Sequence, residues 1–207
     1  MVSFIKKYIL PKEIDFFDLL YKHSLIINQM SKNLNCCFLQ EEQICCQKVM
    51  GDVELSKKMR KDNIKKLFST FITPIDRESI YRVINELDWI AISINHFLIE
   101  TQTYKINNLK EYQLLLNTLV EMSENILNSL KALKVKNNNE IIELCESIRV
   151  QYNQAVNFYI EYMYELSKNQ NFNIVFLDKE LLFQLRDIAK RFRVCSNYIE
   201  DIVAKMV

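Results

Sequence analysis

Glycine is nearly missing from this chain: one residue in 207, with only two prolines and two histidines beside it. Strands need tight turns, and turns favour Gly, Pro, Asn and Asp. Asn is plentiful, but a sandwich, a barrel or a doubly wound sheet is hard to punctuate with a single glycine. An all-α fold needs fewer such residues and is the expectation. The lone Gly51 cannot build a phosphate cradle, and the sequence holds neither a nucleophile elbow nor an H-E-x-x-H.

An excess of either charge is also missing. Lys and Arg number 27 against 26 Asp and Glu, a net charge of +1, where an extended nucleic-acid footprint calls for a basic excess or stripe. No long apolar run is present; charge breaks the apolar positions every few residues, which argues against a membrane span. The opening MVSFIKKYILPKEIDFF has Lys6 and Lys7 but no apolar stretch of signal-peptide length. The cytosol is the expected location.

Six cysteines are present. Cys36, Cys37, Cys45 and Cys46 form two adjacent pairs and not a C-x-x-C, and Cys145 and Cys195 stand alone. On one continuous helix Cys36 and Cys45 would face opposite sides. Buried or half-buried thiols in a reducing compartment are therefore expected ahead of a metal site.

What the chain does have is helical periodicity. Ile80, Ile84, Leu87, Ala91, Ile94 and Leu98 recur in steps of three and four, as do Leu181, Leu185, Ile188, Phe192, Cys195, Ile199, Ile202 and Met206. A third seam runs through Leu109, Tyr112, Leu116, Leu119, Ser123, Ile126, Leu130 and Leu133. Such seams belong to long helices packed side by side. Weaker ones run over 14–39 (Phe17, Leu20, Ile27, Leu34), 42–71 (Ile44, Leu55, Met59, Leu67, Phe71) and 140–167 (Ile141, Leu144, Ile148, Ala155, Tyr159, Tyr162, Leu166). Six long helices follow, with breaks near Pro11, 39–42, 72–75, 102–107, 134–139 and 168–178. Starts near 14, 42 and 76 are matched by starts near 108, 140 and 179, which points to a duplicated three-helix unit: 1–106 and 107–207, packed as one body.

The break at TFITPIDRESI reads as a helix start. Pro74 suits the first helical position, Thr73 can cap it, and Asp76 meets the positive end of the helix. Asp178 is expected to cap the sixth helix. Asp76, Arg77 and Glu78 lie within one turn and splay apart, so they converge on no shared point. His23 and His96 are read as partly buried or surface residues. No enzyme site emerges.

LPKEIDFFDLL (10–20), FITPIDRESI (71–80) and IEDIVAKMV (199–207) stand in an order and spacing that resembles the PhoU-like proteins, and within them the stand-alone branch accompanying Pit-type inorganic phosphate transporters. The most specific pieces are P-K-E-x-x-F-F and T-P-x-D-R-E, the latter carried by Thr73, Pro74, Asp76, Arg77 and Glu78. The resemblance covers nearly the whole chain. It implies two tandem three-helix bundles and a non-enzymatic, regulatory role in phosphate transport, exercised by docking on a transporter at the cytosolic membrane face. A second copy of the chain is a further candidate partner. Nucleic acid is not one.

Many relatives hold iron or zinc clusters through E-x-x-x-D pairs, since residues four apart share a helix face. Here the corresponding places fall on Val53 and Lys57, on Asp88 (retained) and Ile92, on Cys145 and Arg149, and on Arg186, Lys190 and Val194, with Asp52, Glu54 and Glu146 close by. Cations where a metal should sit repel it, so no metal and no cofactor are expected. Lys57, Arg149, Arg186 and Lys190 could instead make an anion site or be ordinary solvated charges. Trp89, at an acid's place in relatives, and Tyr164 lie off the seams and are candidate partner contacts. The alternative function is a metal- or phosphate-binding helical storage or sensing protein.

Overall fold

The computed structural model describes residues 14–106 and 109–206. Six α-helices account for almost all of them: α1 (Phe16–Leu39), α2 (Gln43–Ser69), α3 (Arg77–Thr103), α4 (Gln113–Lys134), α5 (Asn138–Leu166) and α6 (Phe172–Lys205), with a 3₁₀ turn at Lys110–Tyr112 before α4. Among the described residues there is no strand. The chain is all-α, built as two three-helix bundles.

Helices α1, α2 and α3 pack on one another, as do α4, α5 and α6. The two bundles meet through α1 against α4 and α3 against α6. Helix one of each half thus faces helix one of the other, and helix three faces helix three. Like-with-like pairing is what a two-fold relation between repeats generates. The pairs are antiparallel: Lys134 near the end of α4 reaches Asp18 near the start of α1 at 2.7 Å, and Asn35 near the end of α1 meets Asn117 near the start of α4 at 2.8 Å. Ser79 near the start of α3 donates to Asp201 near the end of α6 at 2.9 Å. Helices α2 and α5 pack chiefly within their own bundles and lie outside.

The three strong seams are the core. Ile80, Ile84, Leu87, Ile94, Leu98, Leu116, Ile126, Leu130, Leu185, Phe192 and Ile199 are fully buried. The α2 seam is displaced from the expected one. Ile44, Leu55 and Phe71 are exposed, and the buried face is Cys45, Cys46, Val49, Val53, Ser56, Asn63 and Leu67. An outer helix contributes only a narrow stripe, and here cysteine, serine and asparagine fill part of it. The Leu/Ile pattern therefore pointed to the wrong face.

Three expected boundaries are also corrected. α3 begins at Arg77, and its N-cap is Asp76, whose carboxylate accepts from the Glu78 and Ser79 amides. Thr73 and Pro74 lie in the preceding turn, where the Thr73 hydroxyl donates to the Ile75 carbonyl at 2.8 Å. α6 begins at Phe172, capped by Asn171, so Asp178 lies inside the helix. The chain enters α4 through the 3₁₀ turn and not directly near 108.

Shortage of glycine shows in the helix ends. Glu41, Lys105 and Lys136, each just past a helix C-cap, hold φ of 60°, 59° and 57°, the left-handed conformation glycine usually takes there.

The cysteine expectation holds for two residues and fails for four. Cys145 and Cys195 are free and buried. Cys36 is bonded to Cys45 and Cys37 to Cys46. The nine-residue separation spans the α1–α2 turn and does not run along one helix, so the Cα atoms approach to 6.0 and 5.1 Å. Both lie within disulfide reach.

Candidate functional site

Asp88 of α3 points into the first bundle and is buried. Its carboxylate lies 3.4 Å from Nε of Arg60 on α2, which also donates to Asn85 at 2.9 Å. Burial pushes the Asp88 carboxyl up, and Arg60, Lys57 and Ser56 pull it back. Beside it, His23 Nε2 of α1 sits 2.8 Å from the Ser56 hydroxyl. Burial, aided by the Arg60 charge, lowers the His23 pKa to about 4, so the ring is neutral at ordinary pH. The retained acid is thus one end of a partly exposed ion pair beside the buried His23–Ser56 contact.

Glu86, two residues before Asp88 and so on the far side of α3, faces the other bundle. Its carboxylate is 3.5 Å from Arg191 of α6, whose guanidinium lies 5.1 Å over the Trp89 ring. Trp89 is half-exposed under that cation. Tyr164 is exposed near the end of α5, with the Lys168 ammonium 4.3 Å over its ring.

The four sequence-flagged cations are spread over α2, α5 and α6. Lys57 pairs with Glu54 at 2.7 Å. Arg149 is held by Glu146 and by Glu200, the latter at 3.2 Å. Arg186 stacks 4.0 Å over Tyr159. Lys190 is exposed. Val53 and Cys145 are core residues. The donor set at these places, one acid already held by an arginine among apolar and cationic side chains, does not fit a multivalent cation.

Elsewhere among the described residues, one group of possible ligand atoms comes together: Cys36, Glu42 and Cys45. Its two sulfurs are joined in a disulfide, which leaves Glu42 as the only free donor. A shallow cleft between α3 and α6 also gathers His96, Glu100, Glu180 and Asp187. The i,i+4 spacing of His96 and Glu100 is visible in the sequence; their facing acids on α6 are some 80 residues away and are not.

The TFITPIDRESI stretch is a structural junction. Arg77 donates to the Thr70 and Phe71 carbonyls at 2.6 and 3.4 Å, tying down the α2–α3 turn. Lys205 of α6 bonds Asp76 at 3.2 Å, Ser79 at 2.9 Å and Asp201 at 2.8 Å. Two of the motifs that carry the sequence resemblance, 71–80 and 199–207, therefore meet in space. Lys205 and the cap hydrogen bonds hold the Asp76 carboxyl down to about 2.

Fold and site define an all-α protein of two paired three-helix bundles. No protein-family model and no curated protein matches the sequence. Solved structures do match the fold. A PhoU-like protein from Shewanella oneidensis MR-1 superposes with a TM-score of 0.75 at 10% identity, over 91% of this chain and 99% of that one. A putative PhoU-like phosphate regulatory protein from the same organism gives 0.69 at 10% identity, over 92% and 99%. PhoU from Pseudomonas aeruginosa gives 0.64 at 12% identity, over 92% and 96%. The chain has the PhoU-like fold.

Proposed function

We propose that this protein is a non-enzymatic accessory of inorganic phosphate transport that works by docking on a Pit-type transporter at the cytosolic membrane face. The observation that carries the reading is end-to-end likeness in fold to PhoU and to a PhoU-like phosphate regulatory protein, over more than nine-tenths of both chains. The ion pairs add to it: Asp88 is held by Arg60, and Arg149 by Glu146 and Glu200, so these charges are engaged within the molecule and outer side chains are the candidates for contact. Trp89 and Tyr164 are aromatic, exposed and cation-capped, a composition enriched in binding hot spots.

The test is affinity capture of a Pit-type transporter from detergent-solubilised membranes by tagged protein, alongside phosphate uptake in cells lacking the protein. Co-purification and altered uptake are expected. Failure of both overturns the reading. Stoichiometric iron or zinc in the purified protein would move it to the storage alternative.

A further inference from the structure

The α2–α3 tip carries apolar side chains that the other described residues leave largely uncovered, Phe68 touching only the Tyr81 ring among aromatic partners. Phe71 is 95% exposed, Ile72 79% and Phe68 66%. They are not loose. The Thr70 hydroxyl bonds the Lys66 carbonyl at 2.7 Å, Arg77 grips the Thr70 and Phe71 carbonyls, and Asp76 is fastened to α6 through Lys205. The fold therefore holds two large hydrophobes out into water on a fixed turn.

The charge beside them is one-sided. Residues 57–68 read KKMRKDNIKKLF, six cations against the single acid Asp62; Lys57 and Arg60 are held by Glu54 and Asp88, which leaves Lys58, Lys61, Lys65 and Lys66 to set the charge of this face. Lys58, Lys61 and Lys65 are exposed and spaced to lie on the same helix face as Phe68. Other acids near the tip are already engaged: Asp76 and Asp201 by Lys205, and Glu78 by Arg82. The chain as a whole is almost neutral, so this local excess is a property of the tip.

The other bundle supplies a comparison within the same molecule. Its α5–α6 tip also exposes aromatics, with Tyr164 at 65% and Phe172 at 76%, the latter stacked on Phe176. Yet residues 160–180 hold four acids (Glu161, Glu165, Asp178, Glu180) against Lys168 and Lys179. The two ends are alike in apolar exposure and opposite in charge.

We propose that the α2–α3 tip is a docking surface for an anionic lipid bilayer: Phe71 and Ile72 enter the acyl boundary while Lys65, Lys66 and Lys61 meet lipid phosphates. Apolar insertion combined with a basic cluster is the two-signal arrangement that holds a protein at a membrane surface without spanning it. No helix of the described residues is long and apolar enough to cross. The surface acts whether or not a transporter is the protein's target.

The experiment is co-sedimentation of the full chain with protein-free vesicles of phosphatidylcholine, alone or with phosphatidylglycerol. Binding is expected only with phosphatidylglycerol, and it weakens as salt rises. F71S/I72S lowers partitioning at least about tenfold, and each of K65Q and K66Q lowers it roughly fivefold. F172S/F176S at the acidic end leaves it unchanged. All these positions are on the surface, and circular dichroism checks that the helices persist. Absence of binding to anionic vesicles overturns the proposal, as does equal binding by F71S/I72S. Capture by native membranes but not by protein-free vesicles also overturns it and assigns the tip to a protein partner; transporter capture measured in detergent is independent of either result.

Discussion

His23 Nε2 and the Ser56 hydroxyl lie 2.8 Å apart, sealed between α1 and α2 with Arg60 and Asp88 nearby. Burial holds the imidazole at a pKa of about 4, against about 6.5 in the unfolded chain. Below pH 6.5 the unfolded state takes up a proton that the folded state refuses. Stability from this group is therefore complete at neutral pH, falls as pH drops through 6.5, and is fully lost below 4. Between pH 7.5 and pH 5 the loss is about 2 kcal/mol. Urea unfolding of wild type and His23→Gln at the two pH values checks this. The variant is less stable at neutral pH but less pH-dependent, and equal pH dependence in both would refute the account.

Arg60 is the only cation within ion-pair distance of buried Asp88 among the described residues. Removing it leaves an uncompensated carboxylate, so Arg60→Leu is expected to destabilise by about 1–3 kcal/mol at pH 7, the lower figures reflecting the partial exposure of Arg60. The loss shrinks at lower pH because the Asp88 carboxyl, already raised by burial, then protonates. Arg60→Leu with Asp88→Leu recovers most of the stability. A double variant no better than the single one would show that the pair is not what holds the two side chains there.

Much of this was legible beforehand, and the pattern of what was not is physical. The seams of α3, α4 and α6 are built from Leu, Ile and Phe on inner helices, so periodicity alone located them. The α2 stripe escaped because Cys45, Cys46, Ser56 and Asn63 form it, and these do not advertise burial. Helix start rules placed the α3 boundary within a turn but chose Thr73–Pro74 over Asp76, since either fits locally and the tie to Lys205 decides. The Asp88–Arg60, Glu86–Arg191 and His23–Ser56 contacts join different helices, and no single-chain spacing encodes them.

Each disulfide closes the same short loop through the α1–α2 turn. Chain-entropy arguments give roughly 2–3 kcal/mol for a first cross-link of that span and little for a second beside it. Cys36→Ser/Cys45→Ser and Cys37→Ser/Cys46→Ser are each expected to lower stability by under about 1 kcal/mol, and all four together by roughly 2–3 kcal/mol. Thiol counting supplies the companion check. Two thiols should react in denatured, unreduced protein and six after reduction. Neither buried thiol should react in the native state, because burial raises both Cys145 and Cys195. Six reactive thiols without reductant would contradict the pairing.

Glycine and left-handed backbone are mismatched in this chain. Gly51 sits within α2, where an added Cβ would meet nothing within 4 Å, while Lys136 holds φ 57° at the end of α4. Gly51→Ala is expected to stabilise by about 0.5–1 kcal/mol and Lys136→Gly by about 1 kcal/mol, additively because the sites are far apart in structure. Melting temperatures of the single and double variants check both. A destabilised Gly51→Ala would mean that the helix interior there is not the ordinary one described.

Antiparallel matching of α1 with α4 and of α3 with α6 places the two aromatic caps at opposite poles. α6, with 34 residues, measures about 50 Å at 1.5 Å per residue. Whatever one pole grips, the other is held about that far away, facing outward and with the reverse sign of charge. A single copy therefore has the form of a strut with two dissimilar ends, and turning it end for end would present a different chemistry.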